Sequence, residues 1–187
     1  MVILIGGVSC TGKTLMAQRL LEKYSIPYVS IDHIKMGLIR GNKYCDFKPT
    51  DSDDEITEKL WPVVQGIIMT VIENEQNIMI EGCYLPPEHL GDFEPEYIKQ
   101  IIALYIGFSK NYLDNHISAV IKHRSEIELK EFDEEYMNHN NFIKLHTQLK
   151  ERCLLNNQRF FAIDDDYEKE MGIVYDWIDQ QIQIRNG

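Results

Sequence analysis

The sequence MVILIGGVSCTGKT, residues 1–14, is the strongest indicator of the fold class in this chain. Val2 to Ile5 is an aliphatic run without a polar side chain, which is typical of a buried strand. Residues 7–14, GVSCTGKT, match G-x-x-x-x-G-K-[ST] at every fixed position. The residues that follow, LMAQRLL at 15–21, are interpreted as a helix. The motif therefore lies where a phosphate-binding loop has to lie, after a strand and at the start of a helix.

This loop predicts a nucleotide-phosphate site, the alternative being a glycine-rich turn between a strand and a helix. Its glycines allow a tight turn and let backbone N–H groups approach phosphate oxygens without a Cβ in between. Lys13 is predicted to reach the β- and γ-phosphates, and the Thr14 hydroxyl to bind Mg²⁺, which usually binds through few protein oxygens. The candidate nucleotide-binding residues are Gly7, Ser9, Thr11, Gly12, Lys13 and Thr14.

Composition narrows the class of protein. The length of 187 residues predicts a single domain over 1–187, and no apolar run is long enough to span a membrane. The four cysteines follow neither a zinc nor a disulfide spacing, so we expect a cytoplasmic protein. A net charge of −11 repels polyanions, so we expect no nucleic-acid partner. The remaining expectation is a small-molecule partner and a monomer or homodimer.

Strands and helices alternate along the rest of the chain. Pro62 falls inside a long apolar-faced helix that follows a capping box at Ser52 and Glu55, and it should kink or divide that helix. Residues 84–97 are interpreted as a loop. The alternation predicts an α/β fold with a parallel sheet and helices on both faces. The five predicted strands cover residues 2–5, 28–32, 77–81, 101–108 and 160–163.

Two strand ends carry a carboxylate, Asp32 and Glu81. Because ligands bind at the carboxyl ends of the strands in such sheets, both are expected on the same edge as Lys13 and Thr14. The chain resembles the nucleoside-monophosphate-kinase-like group of P-loop kinases. The resemblance is carried by the phosphate loop, by these two carboxylates, by Arg40 after Asp32 and by the charged segment after the fourth strand.

The resemblance implies a P-loop fold with a five-stranded sheet of order 2-3-1-4-5, ATP with Mg²⁺ as phosphoryl donor, and a small lid, here 122–137. The acceptor side would be formed by 42–60. This chain has Glu81 where the group often has Asp, and its acceptor-side segment is acidic. These departures favour the members that phosphorylate a hydroxyl, such as kinases of sugar acids, shikimate or antibiotics.

Within this resemblance the candidate residues receive roles. Asp32 is the candidate general base, or a residue that orients magnesium-bound waters, and its structural alternative is a helix cap. Glu81 is expected to hold a magnesium-bound water or a substrate hydroxyl. Lys35 and Arg40 are candidates for an anionic substrate group, since arginine suits forked anion recognition. Arg124 is the candidate that stabilises the transferring phosphoryl group from the lid.

The leading functional hypothesis is therefore an ATP-dependent kinase of a small hydroxyl-bearing metabolite. A nucleoside-monophosphate kinase is the nearest alternative, and its acceptor needs no general base. A nucleotide-dependent ATPase or switch, or a catalytically impaired kinase, is the alternative of another class. A GTPase is disfavoured because the closest string to Asn-Lys-x-Asp, NKYC at 42–45, lacks the aspartate.

Overall fold

Five strands form one parallel sheet in the computed structural model, which describes residues 1–41, 43, 45–123 and 138–186. The strands are β1 (Val2–Gly7), β2 (Tyr28–Ser30), β3 (Ile78–Gly82), β4 (Ile101–Phe108) and β5 (Arg159–Ile163). Their order in the sheet is β2-β3-β1-β4-β5, which confirms the order that the resemblance implied. All six residues of β1 are buried, as expected for a strand of a parallel sheet covered on both faces.

Helices connect the strands and follow the last of them. Among the described residues, none of these helices is long and apolar enough to cross a membrane. They are α1 (Lys13–Tyr24), α2 (Ile31–Gly41), α3 (Asp53–Glu73), a 3₁₀ helix (Pro87–Asp92), α4 (Pro95–Ile98), α5 (Lys110–Lys122), α6 (His139–Leu155) and α7 (Tyr167–Asn186).

The chain divides into two compact units. The first consists of Met1–Gly6 and Lys13–Ala103, and its core includes fully buried residues of β1, α1 and β3 such as Ile3, Leu20 and Met79. The second consists of Gly7–Gly12 and the chain from Leu104 onward, with Tyr105 and Phe142 among its largest buried side chains. The single domain over 1–187 remains a prediction.

Helix α3 begins with the predicted capping box and continues through its proline. The Ser52 hydroxyl accepts a hydrogen bond from the backbone of Glu55, whose carboxylate accepts one from the backbone of Ser52. Pro62 does not divide the helix, contrary to one of the expected outcomes. It is exposed, so water can reach the carbonyl of Glu58, which the missing N–H leaves without its helical donor.

Two local predictions were wrong. Strand β2 ends at Ser30 and α2 begins at Ile31, so Asp32 lies in the first helical turn and not at a strand end. Residues 84–97 are not only loop, since they contain the 3₁₀ helix and α4. Each of these short helices starts at a proline, whose fixed φ suits the first helical position.

Candidate active site

The phosphate loop, Gly7–Gly12, follows β1 and runs directly into α1. The buried Thr11 hydroxyl donates a hydrogen bond to the Val8 carbonyl at 2.9 Å, which closes the loop on itself. Cys10 and Gly12 both adopt positive φ angles, +66° and +83°. The Thr11 hydroxyl thus makes its hydrogen bond within the loop. Thr11 would therefore bind a phosphate through its backbone N–H group.

Tyr167, at the start of α7, fixes the end of this loop. Its hydroxyl donates to the Thr11 carbonyl at 3.4 Å, and a Cβ on Gly12 would collide with that hydroxyl. Gly12 is therefore required by its φ angle and by the approach of Tyr167. Sequence reasoning missed Tyr167 because 156 positions separate it from Thr11 and no local pattern marks it.

Lys13 and Thr14 open α1 in the first unit. Lys13 is 5% exposed, and the first turn of α1 contains no acidic residue that would offset the positive end of the helix dipole. The Thr14 hydroxyl donates to Glu81 Oε1 at 3.3 Å, and Glu81 is 2% exposed. The structure thus brings together two of the predicted site residues. A hydroxyl and a carboxylate are hard oxygen ligands of the kind that Mg²⁺ takes, so this pair fits the ion.

Asp32 lies close to the same strand end. Ser30 is the register partner of Glu81, and a Cβ on Gly82 would collide with the Ile31 side chain. Asp32 is the next residue along the chain, and its side chain is 35% exposed. Asp32 was predicted at a strand end. It instead lies in the first turn of α2, beside the same edge of the sheet.

Four side chains of the first unit form a polar network, here called the acceptor-side network and consisting of Asp32, Lys35, Tyr84 and Asp53. Lys35 Nζ donates to Asp32 Oδ1 at 2.6 Å and to the Tyr84 hydroxyl at 3.0 Å. The same ammonium lies 4.6 Å from the centroid of the Tyr84 ring. Asp53 joins this group through its charge, which acts on the ionisation of Tyr84.

The network perturbs the ionisation of two of its members. Burial raises the pKa of Tyr84, with the charges of Asp53 and Asp32 adding to it, so the hydroxyl stays protonated and can donate. Desolvation raises the pKa of Asp53 although the residue as a whole is exposed, and this effect outweighs the opposing influence of Tyr84 and of the Lys35 charge. Neither Tyr84 nor Asp53 was a predicted site residue. Asp53 was seen only as one of several acidic residues near the acceptor side.

The two candidate arginines stay predictions for different reasons. Arg40 is exposed in the last turn of α2. It follows Lys35 by five residues, which places it about 140° further around the helix and about 7.5 Å along it. The role of Arg40 at an anion site therefore stays a prediction. Arg124 and most of the predicted lid, residues 124–137, lie outside the described residues, so both stay predictions.

No protein-family model and no curated protein matches this chain. Solved structures do. Shikimate kinase from Bacteroides thetaiotaomicron is similar with a TM-score of 0.53 at 13% identity, over 96% of this chain and 98% of that one. Deoxyadenosine kinase from M. mycoides gives 0.51 at 11%, over 96% and 100%.

A gluconokinase from Sinorhizobium meliloti 1021 gives a TM-score of 0.50 at 12% identity, over 99% of this chain and 93% of that one. At such identities the likeness shows the fold. The strand order, the helices and the phosphate loop of this chain agree with that fold. The chain therefore has the fold of the P-loop kinases.

Proposed function

We propose that this protein transfers the γ-phosphoryl group of ATP to a hydroxyl of a small molecule. The observation that carries the proposal is the contact between Thr14, which ends the phosphate-loop motif, and the buried carboxylate of Glu81. A hydroxyl and a carboxylate in contact at the start of α1 are oxygen ligands that suit the Mg²⁺ of a magnesium nucleotide. A glycine-rich turn that only connects a strand to a helix has no need of them. The P-loop kinase fold supports the same conclusion.

The donor side of the proposed reaction uses the first turn of α1. Lys13 supplies a positive charge for the β- and γ-phosphates, and backbone N–H groups of residues 7, 9, 11 and 12 bind phosphate oxygens. Thr14 and Glu81 would hold Mg²⁺, directly or through its waters, and the bound ion would neutralise phosphate charge. Arg124 is proposed to add charge stabilisation to the transferring group.

Asp32 is proposed as the general base. One of its carboxylate oxygens, Oδ1, is occupied by Lys35, and its partly exposed side chain leaves Oδ2 for a substrate hydroxyl. As the hydroxyl oxygen bonds to the γ-phosphorus, the bond from phosphorus to the bridging oxygen breaks and ADP leaves. The hydroxyl proton passes to Asp32. Lys35 then serves to orient this base, which is a different role from the anion binding predicted from sequence.

Removing the Lys13 amine tests the donor site. Lys13→Ala should lower MgATP turnover by at least about a hundredfold, since charge stabilisation dominates phosphoryl transfer. The measurement is ATP affinity by calorimetry and turnover with an acceptor. Circular dichroism checks that the variant is folded. A folded variant with unchanged affinity and turnover would remove the phosphate-loop assignment.

Asp32→Asn tests the proposed general base. It also distinguishes a kinase with a hydroxyl acceptor from a nucleoside-monophosphate kinase. For a hydroxyl acceptor, kcat should fall about 10²–10⁴-fold while ATP affinity changes little. The measurement is kcat against pH for both proteins, with the acceptor found by screening alcohols, sugar acids, nucleosides and nucleoside monophosphates. A phosphate acceptor is already ionised and loses no proton-transfer step, so equal pH profiles for the two proteins would contradict the general base. Equal ATP turnover with and without every acceptor would instead favour an ATPase.

A further inference from the structure

We infer that Tyr167 is a positioning residue of the phosphate site, which holds the peptide group between Thr11 and Gly12 in the orientation that binds a phosphate. The inference rests on the phosphate-loop part of the proposed function and adds to it a residue from outside the loop. Tyr167 is the first residue of α7 and comes soon after β5. Its hydroxyl acts on the backbone of the loop and does not have to touch a reacting atom.

One peptide group of the loop carries both the atom that Tyr167 contacts and an atom proposed to bind phosphate. The Tyr167 hydroxyl donates to the Thr11 carbonyl at 3.4 Å. That carbonyl and the N–H group of Gly12 belong to the same planar trans peptide, so they point in opposite directions. A hydrogen bond that fixes the carbonyl toward α7 therefore leaves the Gly12 N–H, which the proposed function assigns to a phosphate oxygen, on the other side of the peptide.

The backbone around this peptide needs such a support. Cys10 and Gly12, on either side of Thr11, have φ angles of +66° and +83°, and glycine passes easily between positive and negative φ. A flip of the peptide between Thr11 and Gly12 would exchange its carbonyl and its N–H group. The Thr11 hydroxyl is bound to the Val8 carbonyl and holds the side chain, whereas the Tyr167 hydroxyl holds the peptide that follows.

Tyr167 is itself held in place by the end of β5 and by its neighbours. The Glu170 carboxylate accepts a hydrogen bond from the backbone N–H of Asp164 at 2.7 Å, and the Asn111 side chain donates to the Asp164 carbonyl at 3.0 Å. The centroid of the Tyr167 ring lies 6.4 Å from that of the buried Phe108. The hydroxyl is thus presented to the loop from a fixed position, which is what preorganisation of a binding site requires.

The test removes the hydroxyl and keeps the ring, in Tyr167→Phe. Calorimetry measures the binding of MgATP, of inorganic tripolyphosphate, which has no base, and of adenosine, which has no phosphate. The matched control is Tyr112→Phe, because the Tyr112 ring stacks on the same Phe108 with centroids 4.8 Å apart. Circular dichroism checks that both variants are folded, and turnover is measured with the acceptor found by the screen described above.

Tyr167→Phe should raise the dissociation constants of MgATP and tripolyphosphate about three- to tenfold, the range expected for losing one hydrogen bond that preorganises the site. The dissociation constant of adenosine should not change, and Tyr112→Phe should bind all three probes as the wild type does. In turnover, KM for ATP should rise by the same factor, while KM for the acceptor should stay the same.

Unchanged binding of MgATP and tripolyphosphate by Tyr167→Phe, an equal loss in Tyr112→Phe, or a loss confined to adenosine would overturn the inference. If Tyr167→Phe shows the expected loss but the wild type phosphorylates no acceptor, the inference stands and the kinase function fails. If the wild type phosphorylates an acceptor and Tyr167→Phe binds MgATP equally well, the kinase function stands and the inference fails. A wild type that binds neither MgATP nor tripolyphosphate contradicts both.

Discussion

Replacing Gly82 by alanine tests how the strand end beside Glu81 is built. Gly82 is the last residue of β3 and has a φ of +156°, a conformation that side chains with a Cβ rarely adopt. A Cβ at this position would collide with Cγ2 of Ile31, the first residue of α2. Ile31 is fully buried, so its side chain cannot swing into solvent. The methyl group therefore has to move β3 or α2.

The expected cost adds two effects. Inserting a methyl group into a packed core costs about 1–3 kcal/mol. Holding a residue with a Cβ at this φ adds about 1–3 kcal/mol of backbone strain. The free energy of unfolding should therefore fall by about 2–6 kcal/mol, a large share of the total stability of a domain. Because Asp32 follows Ile31 and Glu81 precedes Gly82, the variant should also lose activity beyond its loss of stability.

The assay is equilibrium urea unfolding followed by circular dichroism, with Gly37→Ala as the matched control. Gly37 lies inside α2 with no atom near its would-be Cβ, so alanine there should stabilise by about 0.5–1 kcal/mol. The double variant Ile31→Ala, Gly82→Ala should lose less stability than the sum of the losses of the two single variants, because the methyl group that collides is gone. A Gly82→Ala protein as stable as the wild type, or strictly additive losses, would refute the reasoning.

Two further predictions concern the N-terminus of α3. Ser52→Ala removes the capping hydroxyl and should cost about 1 kcal/mol in urea unfolding, while Ser52→Thr should retain most of it; equal stability of all three proteins would contradict the capping box. The pKa of Asp53 is raised in the folded protein, so the folded state holds its proton more tightly and stability should fall as pH rises from 3.8 through the raised value. Asp53→Asn should remove that part of the pH dependence and Asp54→Asn should not. Urea unfolding at several pH values measures this free energy of unfolding. Identical pH profiles for the wild type and Asp53→Asn would contradict the raised pKa of Asp53.

The parts of this protein that sequence reasoning predicted correctly are those in which neighbouring residues act together. The strand, the phosphate loop and α1 are encoded by the first residues of the chain, because strand formation, a tight glycine turn and helix initiation each depend on consecutive positions. The capping box of Ser52 and Glu55 is local in the same sense. The alternation of apolar segments was enough to predict a parallel sheet, since each segment has to be covered on both faces.

The tertiary structure alone decided which side chains meet. Ile31, the first residue of α2, packs against Gly82, which is far away in the sequence, and Asp32 lies in this helix and not at a strand end. Lys35 was predicted as an anion-binding residue, and the structure adds that its ammonium contacts Asp32 and the Tyr84 hydroxyl. Tyr167 reaches the phosphate loop from the other end of the chain. Such contacts depend on how distant segments pack, and propensity and spacing along the chain carry no information about them.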